Sequence, residues 1–520
     1  MNLKNFPVKL AAINGAMPAW HGTVSVQNLH SVCARIKEDG GHLVALWGTD
    51  ERQNKGGFAL HLALASHPGL ICLTLPITES APEYPAPEYP AIDDLFPVAT
   101  RMQRALYDLL GIRAQGSLDQ RPWLRHDAWP DNLFPLRKDV DAKAGYPAGR
   151  DNYPFVQVTG NGVHEIAVGP VHAGIIEPGH FRFSVVGERV LRLEERLGYT
   201  HKGIEKLAES MTITEAARLA GRVSGDSTVA YAWAYAMAVE GIADSTPPSR
   251  ALWLRALLLE RERIANHLGD LGYLGNDVAL AFGFSQFWSL KEEWLRTQQR
   301  LFGHRYLMDC IMLGGVRGDI DAAGVASLLE EADALEQQVR KLQDIYHEHA
   351  GMQDRFLTTG RVTPALAAQL GLSGLAGRAS AQARDLRTQH PTAPYDQLEV
   401  RMVTQRNGDV AARVAVRFDE IYESLRLIRL ILARLPEGET LQELSPLPDN
   451  SFGIGWVEGW RGEVLIGLHT GTDGTIHRLH PHDPSWQNWP LLEHAIIGNI
   501  VPDFPLINKS FNLSYSGQDL

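Results

Sequence analysis

The sequence predicts an α+β protein in which a small N-terminal α/β-sheet domain precedes a large, mainly α-helical bundle domain with peripheral β-strands. Short β-rich runs separated by turns fill His42 to Pro76. Long segments with apolar residues at helical spacing follow Leu191. Strand-like runs return at Gly453–Leu468 and Gly474–Leu479. A chain of 520 residues is long enough for two or three domains.

The N-terminal domain is predicted to span residues 1–142. The runs HLVALWGT, GFALHLALA and LICLTLP indicate a small sheet, and Ala99–Ile112 has the apolar spacing of a helix. A tandem APEYP at Ala81–Pro90 predicts an extended surface loop, because proline favours extended backbone. Gly, Pro and polar residues at 143–154 predict a linker.

The second domain is predicted to span residues 155–520, with strands and turns at Val156–Val186 and helices beyond. The helix at Ser227–Glu240 is apolar nearly all round, which is typical of a helix at the centre of a bundle. The predicted helices are Ser227–Glu240, Arg250–Leu268, Gln286–Leu307, Ala322–His349, Thr363–Gln369 and Val410–Leu435.

Composition excludes several classes of function. The formal charge of -12 disfavours a nucleic-acid partner, since phosphate binding needs a basic face. The three cysteines, Cys33, Cys72 and Cys310, are too few and too far apart for a disulfide framework or an iron–sulfur cluster. No leader and no apolar run of about 18 residues is recognisable. We therefore expect a cytoplasmic protein without a transmembrane segment.

Titratable residues are concentrated between Gly169 and Glu240. They are interleaved with glycine and apolar residues rather than set at helical spacing, which predicts a partly buried polar site. The group comprises His172, Glu177, His180, Arg182, Tyr199, His201, Lys202, Glu205, Lys206, Arg222 and Asp226.

Ordered motifs along nearly the whole chain resemble the large subunit of membrane-bound, energy-converting nickel–iron hydrogenases of the formate-hydrogenlyase type. They also resemble the fused 30- and 49-kDa-type subunits of complex I. The resemblance implies a 30-kDa-like domain at 1–142 and a hydrogenase large-subunit or 49-kDa-like domain at 155–520. The motifs are RMQRALYDLLGI, RPWLRHDAWPDNLFPLRKD, GPVH, EPGHFRF, GYTHKGIEKLAE, LERERIANHLGD, NDVALAFGFSQFWSLKEEWLR and PDFPLINKS.

The resemblance breaks at the metal ligands. In those hydrogenases two cysteine pairs, R-x-C-G-x-C and D-P-C-x-x-C, bind a nickel–iron centre. The matching positions here are Ser224, Ser227, Ser514 and Gly517. A serine hydroxyl is a hard, protonated and poor ligand where a soft thiolate is needed. The resemblance therefore implies a branch in which this chain binds no metal and, ending at Leu520, lacks the cleavable extension.

Complex I relatives hold the quinone headgroup with an H-P-x-x-H-G segment and a tyrosine. Here His172 is followed by A-G-I-I-E-P-G-H, and Gly225 stands where the tyrosine would fall. Quinone therefore remains only an alternative cofactor for this chain.

Arg222 and His267 match positions that, in both relatives, lie near the terminal cluster of an iron–sulfur small subunit. The resemblance implies that they face a cluster held by that partner, where a cation and an imidazole would raise its potential. In the alternative, Arg222 pairs with Asp226 and His267 caps a helix.

Proton handling is assigned to Glu177, His172 and Asp226. Glu177, with His172 and His180, could form a proton path towards the membrane subunits, as the matching acidic position implies. The alternative is a hydrogen-bonded turn set by Pro178-Gly179. Asp226 or Ser224 could instead cap the following helix. Burial would raise the pKa of Asp226 unless Arg222 compensates.

Three functions remain open. The first is a peripheral, cytoplasm-facing subunit of a complex I-like membrane assembly, without nickel, that docks an iron–sulfur small subunit. It would transmit redox change to antiporter-like, ion-pumping membrane subunits. The second is reduction of a quinone or another small acceptor, with Glu177, His172, Asp226 and Tyr515 as candidates. The third is a structural adaptor without a ligand.

Overall fold

The computed structural model describes residues 6–54, 56–77, 87–141, 143–147, 149–150, 152–173, 176–472 and 474–520. The first APEYP copy, the predicted domain boundary at residue 142 and two positions of the predicted linker lie outside these residues. The described residues of the second APEYP copy, 87–90, do not form a surface loop as predicted. Glu88–Pro90 forms a short strand, and the Tyr89 side chain is buried because this strand pairs in parallel with Arg113–Gln115.

A five-stranded sheet with two helices forms the N-terminal part of the fold. Its strand order is β1-β2-β5-β4-β3, with β2 and β5 parallel and the other pairs antiparallel. The elements are β1 (Ala11–Ala12), β2 (Ala19–Thr23), α1 (Val26–Glu38), β3 (His42–Asp50), β4 (Phe58–Ser66), β5 (Gly69–Ile77), β6 (Glu88–Pro90), α2 (Ala99–Leu110) and β7 (Arg113–Gln115). Helix α2 packs on β3.

The rest of the chain is mainly helical, with two three-stranded sheets at its periphery, of order β10-β9-β8 and β13-β14-β15. The α+β fold class is therefore confirmed. The α-helices and strands of this part are β8 (Val163–Val168), β9 (His180–Val186), β10 (Arg189–Arg196), α3 (Ile204–Ala208), α4 (Ile213–Ala220), α5 (Thr228–Ile242), α6 (Ser249–Asp277), α7 (Ala281–Phe302), β11 (Ile311–Met312), β12 (Gly315–Val316), α8 (Ala322–Glu348), α9 (Ala350–Phe356), α10 (Pro364–Leu370), α11 (Gly374–Ala379), α12 (Leu386–Gln389), α13 (Val410–Arg434), β13 (Phe452–Glu458), β14 (Glu463–Thr470), β15 (Ile476–His482), α14 (Ser485–Ala495), α15 (Phe504–Phe511) and α16 (Tyr515–Asp519).

Helix α5 lies at the centre, as its all-round apolar sequence predicts. Every residue of α5 except Ala232 is buried. Strand β13 packs directly on α5, because Gly455 brings its backbone against the helix. A Cβ atom at Gly455 would lie 1.8 Å from the carbonyl oxygen of Ala234. This contact fixes the start of α5 beside the turn between β13 and β14.

Helix α6 is buried on all sides along most of its length. Its middle carries charged residues whose partners lie on neighbouring elements. Arg387 donates to both carboxylate oxygens of Glu260 at 3.1 Å, and Tyr395 donates to Glu260 at 2.7 Å. Pairing makes burial of these charges tolerable, and such pairs are not visible in the sequence.

Strands β14 and β15 also contact the N-terminal strand β3. At this contact the indole of Trp47 stacks between two imidazole rings, with centroid distances of 5.3 Å to His61 and 5.1 Å to His480. We call this region the histidine interface and define it by Trp47, His61, Glu205, Arg478 and His480. Within the described parts of the chain, no helix combines the length and the apolar character that a membrane crossing requires.

Candidate functional site

The loop of residues 222–227 meets the start of α16, so the two segments that match the hydrogenase cysteine motifs do come together. Ser224 Oγ and Ser514 Oγ are 3.0 Å apart, and Ser224 Oγ donates to Asp226 Oδ1 at 2.7 Å. Since each hydroxyl has one hydrogen, Ser514 donates to Ser224. Ser514 Oγ also accepts from the backbone N–H of Gly517 at 2.8 Å. We call this arrangement of Ser224, Asp226, Ser227 and Ser514 the serine site.

Asp226, whose carboxylate accepts a hydrogen bond from Ser224, also forms an ion pair with Arg461. Arg461 donates to both oxygens of Asp226, at 2.9 Å from Nη1 and 2.6 Å from Nη2. Burial by itself would raise the pKa of Asp226, but Arg461 and Ser224 outweigh it and lower the pKa to about 2. Asp226 is thus ionised near neutral pH, and its role in proton handling remains a prediction.

The compensating cation is Arg461, whereas the sequence pointed to Arg222. Arg461 lies in the turn between β13 and β14, which α5 positions beside the loop. Its Nε donates to the carbonyl of Asn512 at 2.6 Å, and its guanidinium stacks on Trp460 at 3.9 Å. Trp460 Nε1 in turn donates to the carbonyl of Asp226 at 3.0 Å. Sequence separation hid this residue, since 235 positions divide it from Asp226.

The fourth ligand position, Gly517, has no room for a side chain. A Cβ atom there would lie 2.4 Å from Oδ2 of Asp483. Asp483 is buried and held, because Tyr231 donates to the same oxygen at 2.8 Å and the Ser485 N–H donates to Oδ1 at 2.8 Å. Together with three hydroxyls already engaged in hydrogen bonds, this donor set does not fit a nickel–iron centre.

Neither Asp226 nor Ser224 caps α5, so that interpretation is wrong. The first amides of the helix, those of Val229 and Ala230, donate instead to Glu262 of α6 at 2.7 and 3.3 Å. Glu262 is buried, and desolvation raises its pKa to about 8. Sequence analysis missed this carboxyl group, whose pKa is nearer neutrality than that of Asp226.

Arg222 and His267 lie in different surroundings. Arg222 is exposed and donates to both oxygens of Asp309, at 2.9 and 2.8 Å, so the alternative pairing with Asp226 is wrong. His267 is buried in the middle of α6 and therefore caps no helix. Its Nε2 lies 2.8 Å from Glu420, and burial lowers its pKa. Facing a partner's cluster remains a prediction for both residues.

Glu177 lies against the C-terminal segment of the serine site. The hydroxyl of Ser516 donates to its carboxylate, and the Ser516 N–H lies 3.4 Å from the second oxygen. Ser516 is two residues from Ser514, so the structure brings Glu177 to the edge of the site. Glu177 is exposed to solvent, and its role in proton handling remains a prediction.

His172 and His180 hold the loop that carries Glu177. His172 Nε2 lies 2.7 Å from the carbonyl oxygen of Gly179, and His180 Nδ1 lies 3.2 Å from that of Gly169. Burial lowers the pKa of His180. These contacts agree with the hydrogen-bonded turn, and the proton path through the two histidines remains a prediction.

The end of the chain is anchored beside α3. Asp519 accepts from the N–H groups of Gly198 and Thr200 at 2.9 and 3.0 Å, and burial raises its pKa to about 6. Tyr515 is buried against Trp489, with ring centroids 4.8 Å apart. Glu205, one of the titratable residues for which the sequence predicts a partly buried polar site, is buried in the histidine interface.

Two family descriptions match separate parts of the chain. Residues 23–146 match "Respiratory-chain NADH dehydrogenase, 30 Kd subunit", and residues 277–450 match "Respiratory-chain NADH dehydrogenase, 49 Kd subunit".

Similar proteins match over more of the length. Formate hydrogenlyase subunit 5 of Escherichia coli K12 is 33% identical over 529 residues, covering 98% of this chain and 92% of its own. Hydrogenase-4 component G of the same organism is 32% identical over 483 residues, covering 92% and 84%. A chain in the structure of an archaeal membrane-bound sulfane sulfur reductase matches with a TM-score of 0.65 at 24% identity. It covers 69% of this chain and 98% of its own, and supports the fold alone.

Proposed function

The chain belongs to the family of complex I-like, energy-converting hydrogenase large subunits that fuse 30- and 49-kDa-type regions, and within this family we propose that it acts without a nickel–iron site of its own, because the matching ligand positions are Ser224, Ser227, Ser514 and Gly517. It would be the peripheral large subunit of a membrane complex. It would dock an iron–sulfur small subunit and pass redox-linked change to ion-translocating, antiporter-like membrane subunits. We also propose that the subunit lies on the cytoplasmic side of the membrane.

The observation that carries this proposal is the contact between Gly517 and Asp483. A cysteine at that position would collide with a carboxylate that Tyr231 and Ser485 hold in place. The serine site is also internally satisfied: Ser514 donates to Ser224, Ser224 donates to Asp226, and Arg461 neutralises Asp226. A hydrogen-bonded ion pair in this place stabilises the scaffold and supplies no soft ligand.

The proposal leaves electron transfer to the partner. Arg222 is exposed beside the loop of the serine site, where a cation can act on a cluster in a docked subunit. Glu177 at the edge of the site is the candidate for proton exchange. These roles rest on the matched family positions and on the exposure of both side chains.

Metal analysis of the purified complex tests the proposal. We expect iron in the amount required by the partner clusters and nickel well below one atom per chain, with a nickel–iron hydrogenase purified in the same way as the positive control. Stoichiometric nickel in this chain would overturn it. Co-purification of a cluster-bearing subunit is the second expected result, and its absence would favour the structural adaptor.

Reduction of a quinone or another small acceptor is the second candidate, favoured by the partial exposure of the Asp226 side chain, 37% of which is reached by solvent. Glu177, His172 and Tyr515 would complete such a site. The double variant Glu177→Gln with Asp226→Asn should then lose acceptor reduction in the purified complex, while Glu165→Gln on strand β8 should not. Unchanged reduction in the double variant would count against this candidate.

A further inference from the structure

A group of buried charges lies where α6, α11, α12 and α13 meet the end of β13, and ion pairs link its members. We call it the charge network and define it by seven side chains, each less than one-tenth exposed. Its carboxyl groups belong to Glu260, Asp385, Glu420 and Glu458, and its guanidinium groups to Arg263, Arg378 and Arg387. Four acidic groups therefore meet three permanently charged cations, so one additional proton makes the network neutral.

His267 is the imidazole next to the network, with Nε2 2.8 Å from the carboxylate of Glu420. Its Nδ1 is buried and has no hydrogen-bond partner among the described residues. An imidazolium carries a hydrogen on both ring nitrogens, so a charged His267 would leave one N–H unsatisfied in the interior. Burial also lowers the pKa of His267. The ring is therefore neutral, and the additional proton belongs to one of the four carboxyl groups, because an uncompensated buried charge is strongly unfavourable.

The contacts of the four carboxyl groups single out Glu458. Each of the other three accepts at least two hydrogen bonds from guanidinium groups, namely Glu260, Asp385 and Glu420. Glu458 accepts one such bond, from Arg378 at 2.8 Å, and its other oxygen accepts from the backbone N–H of Leu386 at 3.2 Å. Among the described residues, Glu458 thus has the fewest contacts with cations in the network.

Glu458 also faces a further carboxylate across the β13–β14 ladder. Glu463 lies directly opposite it, and like charges in directly opposed positions are unfavourable. Glu463 is the better compensated of the two, since His42 Nε2 lies 3.0 Å from its carboxylate. Burial opposes the ionisation of Glu463, but His42 and Arg384 outweigh it and lower its pKa. Glu463 therefore stays charged, and its charge favours a neutral Glu458.

We propose that Glu458 is a proton-binding site, which near neutral pH holds the one proton that neutralises the charge network. Burial and the charge of Asp385 raise the pKa of Glu458 to about 7, with Glu463 adding to the shift and Arg378 opposing it. Burial acts on the other three carboxyl groups as well, but the guanidinium groups outweigh it and lower the pKa of Glu260, Asp385 and Glu420. The proton is therefore held at one residue.

The proton-binding site lies at the base of a turn that serves the serine site. Glu458 and Glu463 flank Gly459–Gly462, the turn from which Arg461 reaches Asp226. Arg263 of the network holds the same turn, donating to the carbonyl oxygens of Glu458 and Gly459 at 2.8 and 2.9 Å. Loss of the proton would place an uncompensated negative charge at this base. The inference does not depend on the proposed function.

Infrared spectroscopy of the full chain tests the proposal, because protonated and ionised carboxyl groups absorb at different frequencies. Below pH 7 the difference spectrum between the unaltered protein and Glu458→Gln should contain the band of one protonated carboxyl group, and this band should disappear as the pH rises through about 7. Glu165→Gln on strand β8 is the control, since Glu165 is exposed, and its difference spectrum should lack the band. Absence of the band from the Glu458→Gln difference spectrum would overturn the proposal.

The variant Glu463→Gln gives a test that leaves Glu458 in place. It removes the opposed negative charge, so the carboxyl band that titrates near pH 7 should shift its midpoint to lower pH. A midpoint that stayed the same or moved to higher pH would contradict the proposal.

Chemical denaturation at several pH values counts the proton. Glu458 titrates near pH 4.5 in the unfolded chain and near pH 7 in the folded one, so it contributes stability that is lost as the pH rises between these values. Between about pH 5 and 6.5 the unfolding constant of the unaltered protein, relative to that of Glu458→Gln, should rise nearly tenfold per pH unit. A ratio that did not change with pH would overturn the proposal.

Discussion

The serine site and the histidine interface both hold desolvated titratable side chains, but a carboxylate in the serine site is charged whereas an imidazole in the histidine interface is neutral. In the serine site Asp226 stays ionised, because Arg461 binds both of its oxygens and holds the pKa at about 2. In the histidine interface burial, with smaller contributions from nearby histidines and Arg478, lowers the pKa of His61 to about 3, so the ring is neutral. His61 is held by two threonine hydroxyls, Thr49 and Thr74.

The difference shows that the partner decides the charge of a buried group. A bidentate guanidinium repays the desolvation of a carboxylate, whereas a hydroxyl satisfies an imidazole without charging it. Regions built in these two ways should respond differently to mutation and to pH.

Removal of Arg461 is expected to have the largest effect. The change Arg461→Met leaves Asp226 without its cation and frees the carbonyl of Asn512, so the free energy of unfolding should fall by about 3 kcal/mol. This is the lower end of the range for buried pairs, because Asp226 is partly exposed. Chemical denaturation of the full chain measures it.

The matched change in the histidine interface is Arg478→Met. It should lower the free energy of unfolding by less than Arg461→Met does, because His480 remains hydrogen-bonded to Glu205 when the arginine is removed. If the free energy of unfolding fell equally in the two variants, the way each carboxylate is paired would not account for a difference between the two regions.

Acid should weaken the histidine interface before the serine site. Unfolded His61 and His482 take up protons below pH 6.5, while both folded pKa values lie at about 3. The free energy of unfolding therefore falls as the pH decreases from 6.5, by about 1.4 kcal/mol per pH unit for each group, or about 2 kcal/mol each by pH 5. Denaturation curves at several pH values measure how steeply the free energy of unfolding falls with pH. In His61→Gln this slope should be smaller by the contribution of one histidine, about 1.4 kcal/mol per pH unit.

Asp226→Asn is the control for this slope. The unfolded carboxyl group titrates near pH 3.8 and the folded one near 2, so Asp226 contributes stability that is lost only as the pH falls through this lower range. Between pH 6.5 and 5 the slope of Asp226→Asn should equal that of the unaltered protein. A changed slope would mean that Asp226 is not ionised as described.

The close contact of Gly517 gives a smaller expected effect. In Gly517→Ala the added Cβ would meet Asp483, which must move away from Tyr231 or Ser485. This overpacking is expected to lower the free energy of unfolding by about 1.5 kcal/mol. Gly318→Ala is the control, since nothing lies within 4 Å of its Cβ position. A neutral Gly517→Ala would remove the steric argument against a fourth thiolate.

Periodicity predicted most of the fold. The predicted helix Val410–Leu435 is observed as Val410–Arg434, and Ala322–His349 as Ala322–Glu348, because both sequences carry regular apolar spacing. The helices α14 to α16 were not predicted, since their segments contain internal prolines or are too short for a periodic pattern. Contacts with α6, β10 and α13 hold α14 and α15, and α16 contacts α14.

The sequence predicted only some of the residues of the candidate site. The motifs singled out the loop at Ser224 and the segment at Ser514, and in the structure the two hydroxyls lie 3.0 Å apart. Arg461, Asp483 and Glu262 were missed, because each acts on the site from another segment and none carries a local spacing signal. Long-range pairing of charges follows from the fold and cannot be read from neighbours along the chain.

Loss of a single hydroxyl should have the smallest effect and tests whether the serine chain is a connected unit. Ser514→Ala removes the hydroxyl that donates to Ser224 and accepts from the Gly517 N–H. The free energy of unfolding should therefore fall by about 1 kcal/mol. Ser227→Ala should lower the free energy of unfolding by less, because the hydrogen bonds of the Ser227 hydroxyl within the described residues are long, 3.4 Å to Asp226 and 3.3 Å to Arg461. Thr74→Val gives the same comparison in the histidine interface, where one hydroxyl lies 2.9 Å from both His21 and His61. If Ser227→Ala proved the more costly of the two serine changes, measured by chemical denaturation, the proposed order of donors from Ser514 to Asp226 would be wrong.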